Sequence, residues 1–522
     1  MTGGFDGIKS HRRHQMKERA EIKQKVNRGL AWIGLASTLI GLLDILAQIL
    51  ILRFWVSPSE LGIATLAVAL FPILDMATDM GMSSAVIQGD DHTEEKICTV
   101  FWMNVLVSLV LFSSLCVGGP LLGYVHGHPV IGSMLIAYGS KIIFQNAYFI
   151  PAALLKRELR FKELSVIRIF ANIAEFVAKI GFAWGGFEVW CFVFGPLARS
   201  VVTCVGVQAC HPWCPRMVLR LREAASYMRY GLKTSASQIL FYFYTNVDYQ
   251  VVSYYFGTAA TGFYRAAYEL VLEPVRVISH VIVEIAFPTF ARLRTKRSHL
   301  IEQFISFTRL NLVVVVPFLT VVFLGASEIL QVLWGDSWAP ASTAVRVLCL
   351  VGVLRALSFV VPPLLDGIGF PTITLFYTLV ASVVLPALYI LFAIHFGPRV
   401  GYLSVALAWA VGYPIAFSVL SYLALSRIGL PAMAYLRRVM GIPGCTAVAL
   451  GVGAVIRWGT RGWAPLPRLA AIAGVTMGLI GVLLAYLQGI SPRAVVRALG
   501  EKGGASSKMP DSEEPQDLPP MG

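Results

Sequence analysis

Long apolar runs, separated by short polar connections, dominate the chain from Leu30 to Gln488. A run of about 18 apolar residues or more is long enough to cross a bilayer as an α-helix. By this criterion we predict about fourteen membrane-spanning helices. They cover residues 30–54, 60–88, 97–123, 130–155, 163–184, 188–209, 227–255, 261–289, 304–326, 341–365, 371–396, 400–427, 439–457 and 466–488. The fold class is therefore predicted to be all-α, polytopic and embedded in a membrane.

The composition agrees with this interpretation. Of the 522 residues, 57% are hydrophobic and 14% are charged, whereas roughly a quarter of the residues in a soluble protein are charged. The formal net charge is +14, and a basic chain can bind nucleic acid. Here the basic residues lie mostly in the connections between apolar runs, so we predict membrane lipids, and no nucleic acid, as their partners.

The distribution of lysine and arginine predicts the orientation, because cytoplasmic loops are enriched in both. The amino-terminal arm and alternate connections are rich in cations, which predicts that both termini lie in the cytoplasm. The cationic connections hold Lys156, Arg157, Arg160, Lys162, Arg216, Arg220, Arg222, Arg292, Arg294, Lys296, Arg297, Arg437 and Arg438. The opposite connections are poor in cations, with Arg457, Arg461 and Arg468 as the exception.

A weak internal repeat suggests two halves. Gly62, Ala67 and Leu70 recur as Gly262, Ala267 and Leu270, which places them six predicted helices apart. Transporters built from two six-helix halves bind substrate between the halves; two unrelated helices that begin with glycine are the alternative. The predicted division is a basic arm (1–28), an N-terminal bundle (29–210), a linker (211–226), a C-terminal bundle (227–428), two additional helices (429–490) and a disordered tail (491–522).

Signatures of catalysis are missing from the sequence. It contains no paired catalytic carboxylates in a large loop, no Ser/His/Asp arrangement and no phosphate-binding glycine loop. We therefore predict that the protein is not an enzyme and needs no cofactor. The segment Cys210–Cys214 faintly resembles a metal or redox motif, but further ligands do not cluster near it, so we predict no metal site.

One predicted span is unusual because six ionisable residues share one of its faces. At 100° per residue they fall within an arc of about 100°, and such a stripe belongs against protein or a watery cavity rather than lipid. The six residues are Arg265, Glu269, Glu273, Arg276, His280 and Glu284. We refer to them as the charged stripe.

Other predicted spans also carry polar residues. The fifth repeats the pattern of the stripe, with members spaced four, three and four residues apart. Its members are Arg168, Asn172, Glu175 and Lys179. Further ionisable residues inside spans are Asp44, Asp75, Asp79, Asp248 and Arg355. Ionisable groups thus occur in both halves, as a cavity between the halves would require.

Several stretches, in this order, resemble a known family. They are VNRGLAW, SPSELGIATLAVAL, DMGMSSAVIQ, PAALLKRELRFKELSVIRI, NVDYQVVSYYFGTAATGFYRAAYEL, AFPTFARL, VLWGDSWAPA and LLDGIGFP. The chain is similar to the bacterial polysaccharide flippases of the polysaccharide transport family, within the superfamily that includes multidrug exporters and the lipid II flippase. Among subgroups it looks most like the exporters of exopolysaccharide and colanic-acid-type repeat units.

The resemblance implies two six-helix bundles plus two extra helices, in a bacterial inner membrane. It also implies alternating access for an undecaprenyl-pyrophosphate-linked oligosaccharide. A polysaccharide polymerase and chain-length machinery are further candidate partners. Arginine and lysine suit a pyrophosphate or an acidic sugar, so the candidate substrate-binding residues are Arg168, Lys179, Arg265, Arg276 and Arg355. Carboxylates in a transporter core can bind H⁺ or Na⁺, and the candidates for ion coupling are Asp44, Asp75, Asp79 and Glu175.

Alternatives remain open at this stage. Arg265–Glu269 and His280–Glu284 are spaced i,i+4 and Glu273–Arg276 is spaced i,i+3, so the stripe could neutralise itself within the bundle. A cation-coupled multidrug antiporter on the same fold is the second functional hypothesis, and a membrane scaffold without transport is the third. The segment Trp334–Trp338 could form an outer gate or anchor the chain at the membrane interface.

Overall fold

The computed structural model describes residues 32, 34–79, 94–158, 160–218 and 221–489, with side chains at all of these except 77–79 and 221–238. The basic arm, the tail and the side chain of Asp79 therefore lie outside the described part. Within it, the regular structure is helical and includes no strand. Helices suit a bilayer because every backbone hydrogen bond is made within the segment.

The helices form two lobes and an additional group of three. The N-lobe contains α1 (Gly34–Phe54), α2 (Pro58–Val68), α3 (Phe71–Asp79), α4 (Glu94–Val125), α5 (Val130–Gly139), α6 (Lys141–Arg157), α7 (Phe161–Trp184) and α8 (Cys191–Cys210). The C-lobe contains α9 (Leu221–Leu293), α10 (Arg297–Leu324), α11 (Ala326–Leu333), a 3-10 turn (Asp336–Ala341), α12 (Ser342–Ser358), α13 (Val361–Gly367), α14 (Pro371–Val400) and α15 (Leu403–Ile428). The additional helices are α16 (Ala432–Val439), α17 (Gly441–Gly459) and α18 (Pro465–Gln488), and they pack on α10 and α11.

Ten helical segments of the described chain are long and apolar enough to cross a membrane, which confirms a polytopic membrane protein. The other four predicted spans also coincide with helices. The span 130–155 is interrupted at Ser140 between α5 and α6, and 163–184 is the charged helix α7. The spans 227–255 and 261–289 are the two arms of α9. The count of fourteen stays a prediction, as do the boundaries of the domains.

The two arms of α9 meet at Gly257, whose φ of 82° is unfavourable for any residue with a side chain. The first arm leads up to this turn, and the second arm, which carries the charged stripe, leads away from it. Because the arms are joined at Gly257, the first residue of the stripe, Arg265, lies near the start of the second arm.

The second arm crosses α2 at very close range. A Cβ atom placed on Gly62 would lie 1.8 Å from the Thr258 carbonyl oxygen, and one on Gly262 would lie 1.8 Å from the Pro58 carbonyl oxygen. The contact is reciprocal, because Pro58 and Thr258 are separated by the same offset as the two glycines. Reciprocity of this kind is what a two-fold axis produces, so the crossing supports the internal repeat. Small residues permit such close packing of membrane helices.

The lobes touch at the end of the bundle where α2 begins, which we call the closed end. Five hydrogen bonds there join Arg53 to the Gln331 carbonyl (2.8 Å), Ser59 to Thr258 (2.8 Å), Gln250 to the Leu66 carbonyl (3.1 Å), His126 to Ser253 (3.0 Å) and Trp338 to the Leu52 carbonyl (3.2 Å). Burial lowers the pKa of the His126 ring, which favours the neutral ring at this contact.

The segment Trp334–Trp338 belongs to the closed end. Trp338 is almost fully buried and packs its ring edge-on against Phe263 at 6.4 Å, while its indole N–H reaches across to α1. A tryptophan that anchors a protein at the membrane interface is partly exposed to the headgroups. The structure therefore favours a contact between the lobes over interfacial anchoring for this segment.

We predict that a side chain at Gly62 separates the lobes at the closed end. Ser59→Cys/Thr258→Cys should form a disulfide readily, because the two hydroxyl oxygens it replaces lie 2.8 Å apart. Adding Gly62→Val should lower the yield of this cross-link severalfold, since the valine Cβ has no room beside Thr258.

Gly41→Val is the matched control, because Gly41 also lies within a membrane helix and a Cβ atom placed on it would have nothing within 4 Å. Single-cysteine variants measure the background from the eight native cysteines. An unchanged cross-link yield in Gly62→Val would contradict the close crossing.

Candidate functional site

The charged stripe starts at the contact between the lobes. Arg265 Nε lies 2.6 Å from Glu269 Oε1, and the guanidinium stacks 5.4 Å from the centre of the Tyr249 ring. Gln48 of α1, in the other lobe, donates a hydrogen bond to the second carboxylate oxygen of Glu269. The first ion pair of the stripe is therefore also a link between the lobes.

The stripe becomes more exposed away from the closed end. The side chain of Arg265 is 18% exposed, that of Arg276 is 47% exposed and that of His280 is 67% exposed. Charged groups at this depth belong in water or protein rather than lipid. The gradient is what a cavity produces when it is closed at one end by the contact between the lobes and widens toward the other end.

Every ionisable member of the stripe has a partner within the stripe. Arg276 pairs with Glu273 at 2.8 Å, and His280 lies 3.4 Å from Glu284. The i,i+3 and i,i+4 pairs expected from the spacing are thus all present. Pairing within the stripe is compatible with exposure to a cavity, because only the pair Arg265–Glu269 is largely buried. The other two pairs are more exposed.

The N-lobe holds a second set of charges, on α7 and α8. Glu175 is 4% exposed and accepts contacts from Lys179 and Arg199, each at 2.8 Å. Asp44 of α1 interacts electrostatically with the same cations. A carboxylate this deeply buried is stable only when it is paired, so Glu175 organises two helices of the N-lobe.

A third cluster involves the break between α5 and α6. Lys141 Nζ lies 2.8 Å from both carboxylate oxygens of Asp75 and 2.8 Å from the Tyr138 hydroxyl. The Tyr138 hydroxyl in turn donates to Asp75 at 3.0 Å. The lysine is buried, and its charge is balanced by the one carboxylate of α3 whose side chain the structure describes.

Taken together, these two N-lobe clusters are balanced in charge. Three carboxylates face three cations, and sequence reasoning singled out only one of the cations. The carboxylates are Asp44, Asp75 and Glu175, and the cations are Lys141, Lys179 and Arg199. We call these six residues the N-lobe network. Lys141 and Arg199 each stand alone in an apolar stretch, so a search for periodic charges does not find them. A search for isolated cations inside predicted spans would have found both.

Arg355 of the C-lobe sits in an aromatic cage. Its guanidinium lies 4.7 Å from the Trp409 ring and 5.8 Å from the Tyr413 ring, and it donates to the Tyr268 hydroxyl at 2.8 Å. Among the described side chains no carboxylate lies within ion-pair distance of it. Trp409 also donates to the fully buried Asp248 at 2.9 Å, so one indole contacts both Arg355 and Asp248.

The remaining candidates are more isolated. Arg168 is exposed on α7, toward the end opposite the closed end, and has no ion-pair partner within the described ranges. Asp79 cannot be placed, since its side chain lies outside the described part. No three potential metal ligands come together in the part of the chain that the structure describes, which includes Cys210 and Cys214.

Comparison with known proteins identifies relatives over most of the chain. The profile of the family described as polysaccharide biosynthesis protein matches residues 15–343. The succinoglycan biosynthesis transport protein ExoT of Rhizobium meliloti is 25% identical over 74% of this chain and 76% of its own length. The teichuronic acid biosynthesis protein TuaB of Bacillus subtilis is 24% identical over 64% of this chain and 70% of its own.

Solved structures show the same fold. An inward closed structure of the lipid II flippase MurJ matches 87% of this chain and 99% of its own with a TM-score of 0.66 at 14% identity. An inward-facing multidrug resistance transporter of the MATE family matches 75% of this chain and 94% of its own with a TM-score of 0.56 at 16% identity. The family and the fold predicted from the sequence are thereby confirmed.

We predict that the N-lobe network stabilises the lobe through Glu175. Glu175→Gln leaves Lys179 and Arg199 without their carboxylate, and breaking a buried pair from one side should cost on the order of 3 kcal/mol in the free energy of unfolding. Thermal unfolding of the purified protein measures the loss.

The exposed Glu284→Gln is the control and should change stability little. Glu175→Gln/Lys179→Gln should recover part of the loss, since it removes one of the two unpaired cations. A Glu175→Gln variant as stable as the wild type would show that the network does not hold α7 and α8 together.

Proposed function

This chain belongs to the polysaccharide biosynthesis protein family, and from that membership we propose that it is a flippase for lipid-linked oligosaccharides. Its substrate in this proposal is an undecaprenyl-pyrophosphate-linked repeat unit of an exopolysaccharide or O-antigen. The protein moves the unit across the bacterial inner membrane by alternating access, with both termini in the cytoplasm. A polymerase and chain-length machinery would then use the product.

The observation that carries the proposal is the exposure gradient along the charged stripe. A hydrophilic headgroup needs a polar path between the lobes while its lipid tail remains in the bilayer. The stripe supplies charged groups from Arg265 to His280, and the N-lobe network supplies them from the other side. Because the lobes touch at the closed end, the proposed cavity opens toward the opposite end, which is the cytoplasmic end in the predicted orientation.

The cations of the cavity fit a pyrophosphate better than a cationic drug. Arginine can donate two parallel hydrogen bonds to a phosphate. Arg276 is the cation of the stripe that is both exposed and paired with a single carboxylate, and Arg168 is exposed nearer the open end. We propose that these two arginines meet the headgroup first and that Arg265 and Lys179 meet it deeper in the cavity.

Arg355 has a different place in this scheme. Arg355 is buried in its aromatic cage in this conformation, so in this proposal contact with substrate requires the cage to open. We propose that Arg355 contributes a positive potential to the C-lobe wall and contacts the headgroup only after the lobes rearrange.

In this proposal, ion coupling arises because Glu175 and the anionic headgroup compete for the same two cations, Lys179 and Arg199. While Glu175 is ionised it holds Lys179 and Arg199 at 2.8 Å. Uptake of a proton by Glu175 would release both cations for an anionic headgroup, and loss of the proton would expel the headgroup again. We propose this exchange for Glu175, and a corresponding exchange for Asp75 with its own partner Lys141. Asp44 adds to the negative potential, and Asp79 is a further candidate. Na⁺ could replace the proton.

The pair Arg276–Glu273 tests the proposal. Arg276→Gln should abolish surface polysaccharide in cells that carry the variant as their single copy, because a headgroup contact is lost. Glu273→Gln should retain polysaccharide, since it leaves Arg276 free to bind. Immunoblotting of membranes must show normal protein levels for both variants.

A different pattern would assign the pair to helix packing alone. If Arg276→Gln and Glu273→Gln are equally defective and the double variant is restored, charge balance is what matters at this position. Normal polysaccharide in Arg276→Gln would contradict a substrate contact. Resistance to cationic drugs gained without any effect on polysaccharide would support the antiporter hypothesis instead.

A further inference from the structure

Three arginines converge at the closed end, outside the cavity. Arg346 is in the first turns of α12, Arg457 is near the end of α17 and Arg468 is near the start of α18. They surround Ser327 and Glu328 of the short helix α11. We call these five residues the arginine cluster. Two pairs of neighbouring helices, far apart from each other in sequence, thus contribute to one site.

The contacts of the cluster leave donors in excess. Arg468 lies 2.8 Å from Glu328 Oε1 and Arg457 lies 3.9 Å from the same oxygen. The Ser327 hydroxyl accepts from Arg346 at 3.3 Å and from Arg457 at 3.1 Å, and it lies 3.1 Å from Glu328 Oε2. The serine oxygen and the carboxylate are therefore already shared among several donors.

The positive charge of the cluster is not balanced. Three guanidinium groups face one carboxylate, so two positive charges remain without a counter-charge among the described side chains. The Nε atoms of Arg346 and Arg468 are buried and have no acceptor there. An unpaired buried donor is costly, and more so when it is charged, so a ligand that brings several acceptor atoms would relieve this cost.

The orientation rule makes the cluster more unusual. Arg457 and Arg468 lie in a connection that the lysine and arginine distribution assigns to the outer side, where cations are depleted. The cluster therefore places cations on the side of the membrane where this rule predicts few of them. A second role must account for arginines at this position.

Exposed tryptophans near the cluster indicate the depth of lipid headgroups. Trp458, Trp463 and Leu466 are exposed on the same connection, and tryptophan is enriched at the membrane–water interface. The side chains of Arg457 and Arg468 are 28% and 19% exposed. An anion at the interface can reach them without unfolding the site.

We propose that the arginine cluster binds a phosphate group. Phosphate offers several acceptor oxygens and a negative charge, and guanidinium groups bind it with paired hydrogen bonds. The phosphate can be that of a membrane lipid headgroup or free phosphate in solution. The site is separate from the transport cavity, and its occupancy fastens the pair α17–α18 to the C-lobe.

The wild-type protein, purified at full length in a neutral detergent, provides the first test. Thermal unfolding is followed with dioctanoyl phosphatidate, with dioctanoylglycerol, which lacks the phosphate, and with inorganic phosphate. A higher Tm with phosphatidate but not with dioctanoylglycerol supports a lipid phosphate. A higher Tm with inorganic phosphate as well supports a site open to free phosphate. No rise with either phosphate compound overturns the proposal.

Variants locate the site. Arg346→Gln removes a cation that has no ion pair, so it should fold normally, and it should weaken the phosphate-dependent stabilisation roughly ten-fold in ligand concentration. Arg346→Lys keeps the charge and should recover part of the effect. Arg461→Gln is the matched control, because Arg461 is exposed on the same connection and stacks near Trp458 at 5.9 Å. Equal losses in Arg346→Gln and Arg461→Gln, or no loss in either, would contradict a site at the cluster.

Discussion

The cost of placing charge inside a membrane is the constraint on which the rest of this structure depends. A charged side chain at the bilayer centre costs at least about 2.5–3.5 kcal/mol, and this chain places many of them within its spans. The structure meets that cost in two ways. The N-lobe network pairs its charges within the protein, and the charged stripe turns toward the space between the lobes.

The contact between the lobes follows from a second constraint, which is steric. Gly62 and Gly262 allow α2 and α9 to cross at backbone distance, and the crossing is reciprocal because the two halves share a repeat. Closure at this end agrees with the rise in exposure along the stripe from Arg265 to His280. A single geometric arrangement thus accounts for the exposure gradient and, in the proposed function, for the access of a polar headgroup from one side.

Sequence reasoning reached the fold and the stripe because both depend on local patterns. Hydropathy locates spans, and spacing of three and four residues locates a common face. It could not identify the partners of Lys141 and Arg199 or the cage around Arg355, because those contacts join helices that are distant along the chain. The burial of Trp338 could not be predicted either, since no local sequence pattern distinguishes a contact between the lobes from an interfacial anchor. The glycine repeat was visible in the sequence, but its reciprocal packing was not.

The central claim is that the two lobes alternate between closure at one end and closure at the other. Spin labels at Lys162 and Lys296, which are exposed on the two lobes at the end opposite the closed end, report the width of the opening by pulsed electron paramagnetic resonance. On addition of an undecaprenyl-pyrophosphate-linked oligosaccharide, a population with a shorter distance between the labels is expected. A distance distribution that does not change with the substrate, in protein that binds it, would contradict the account.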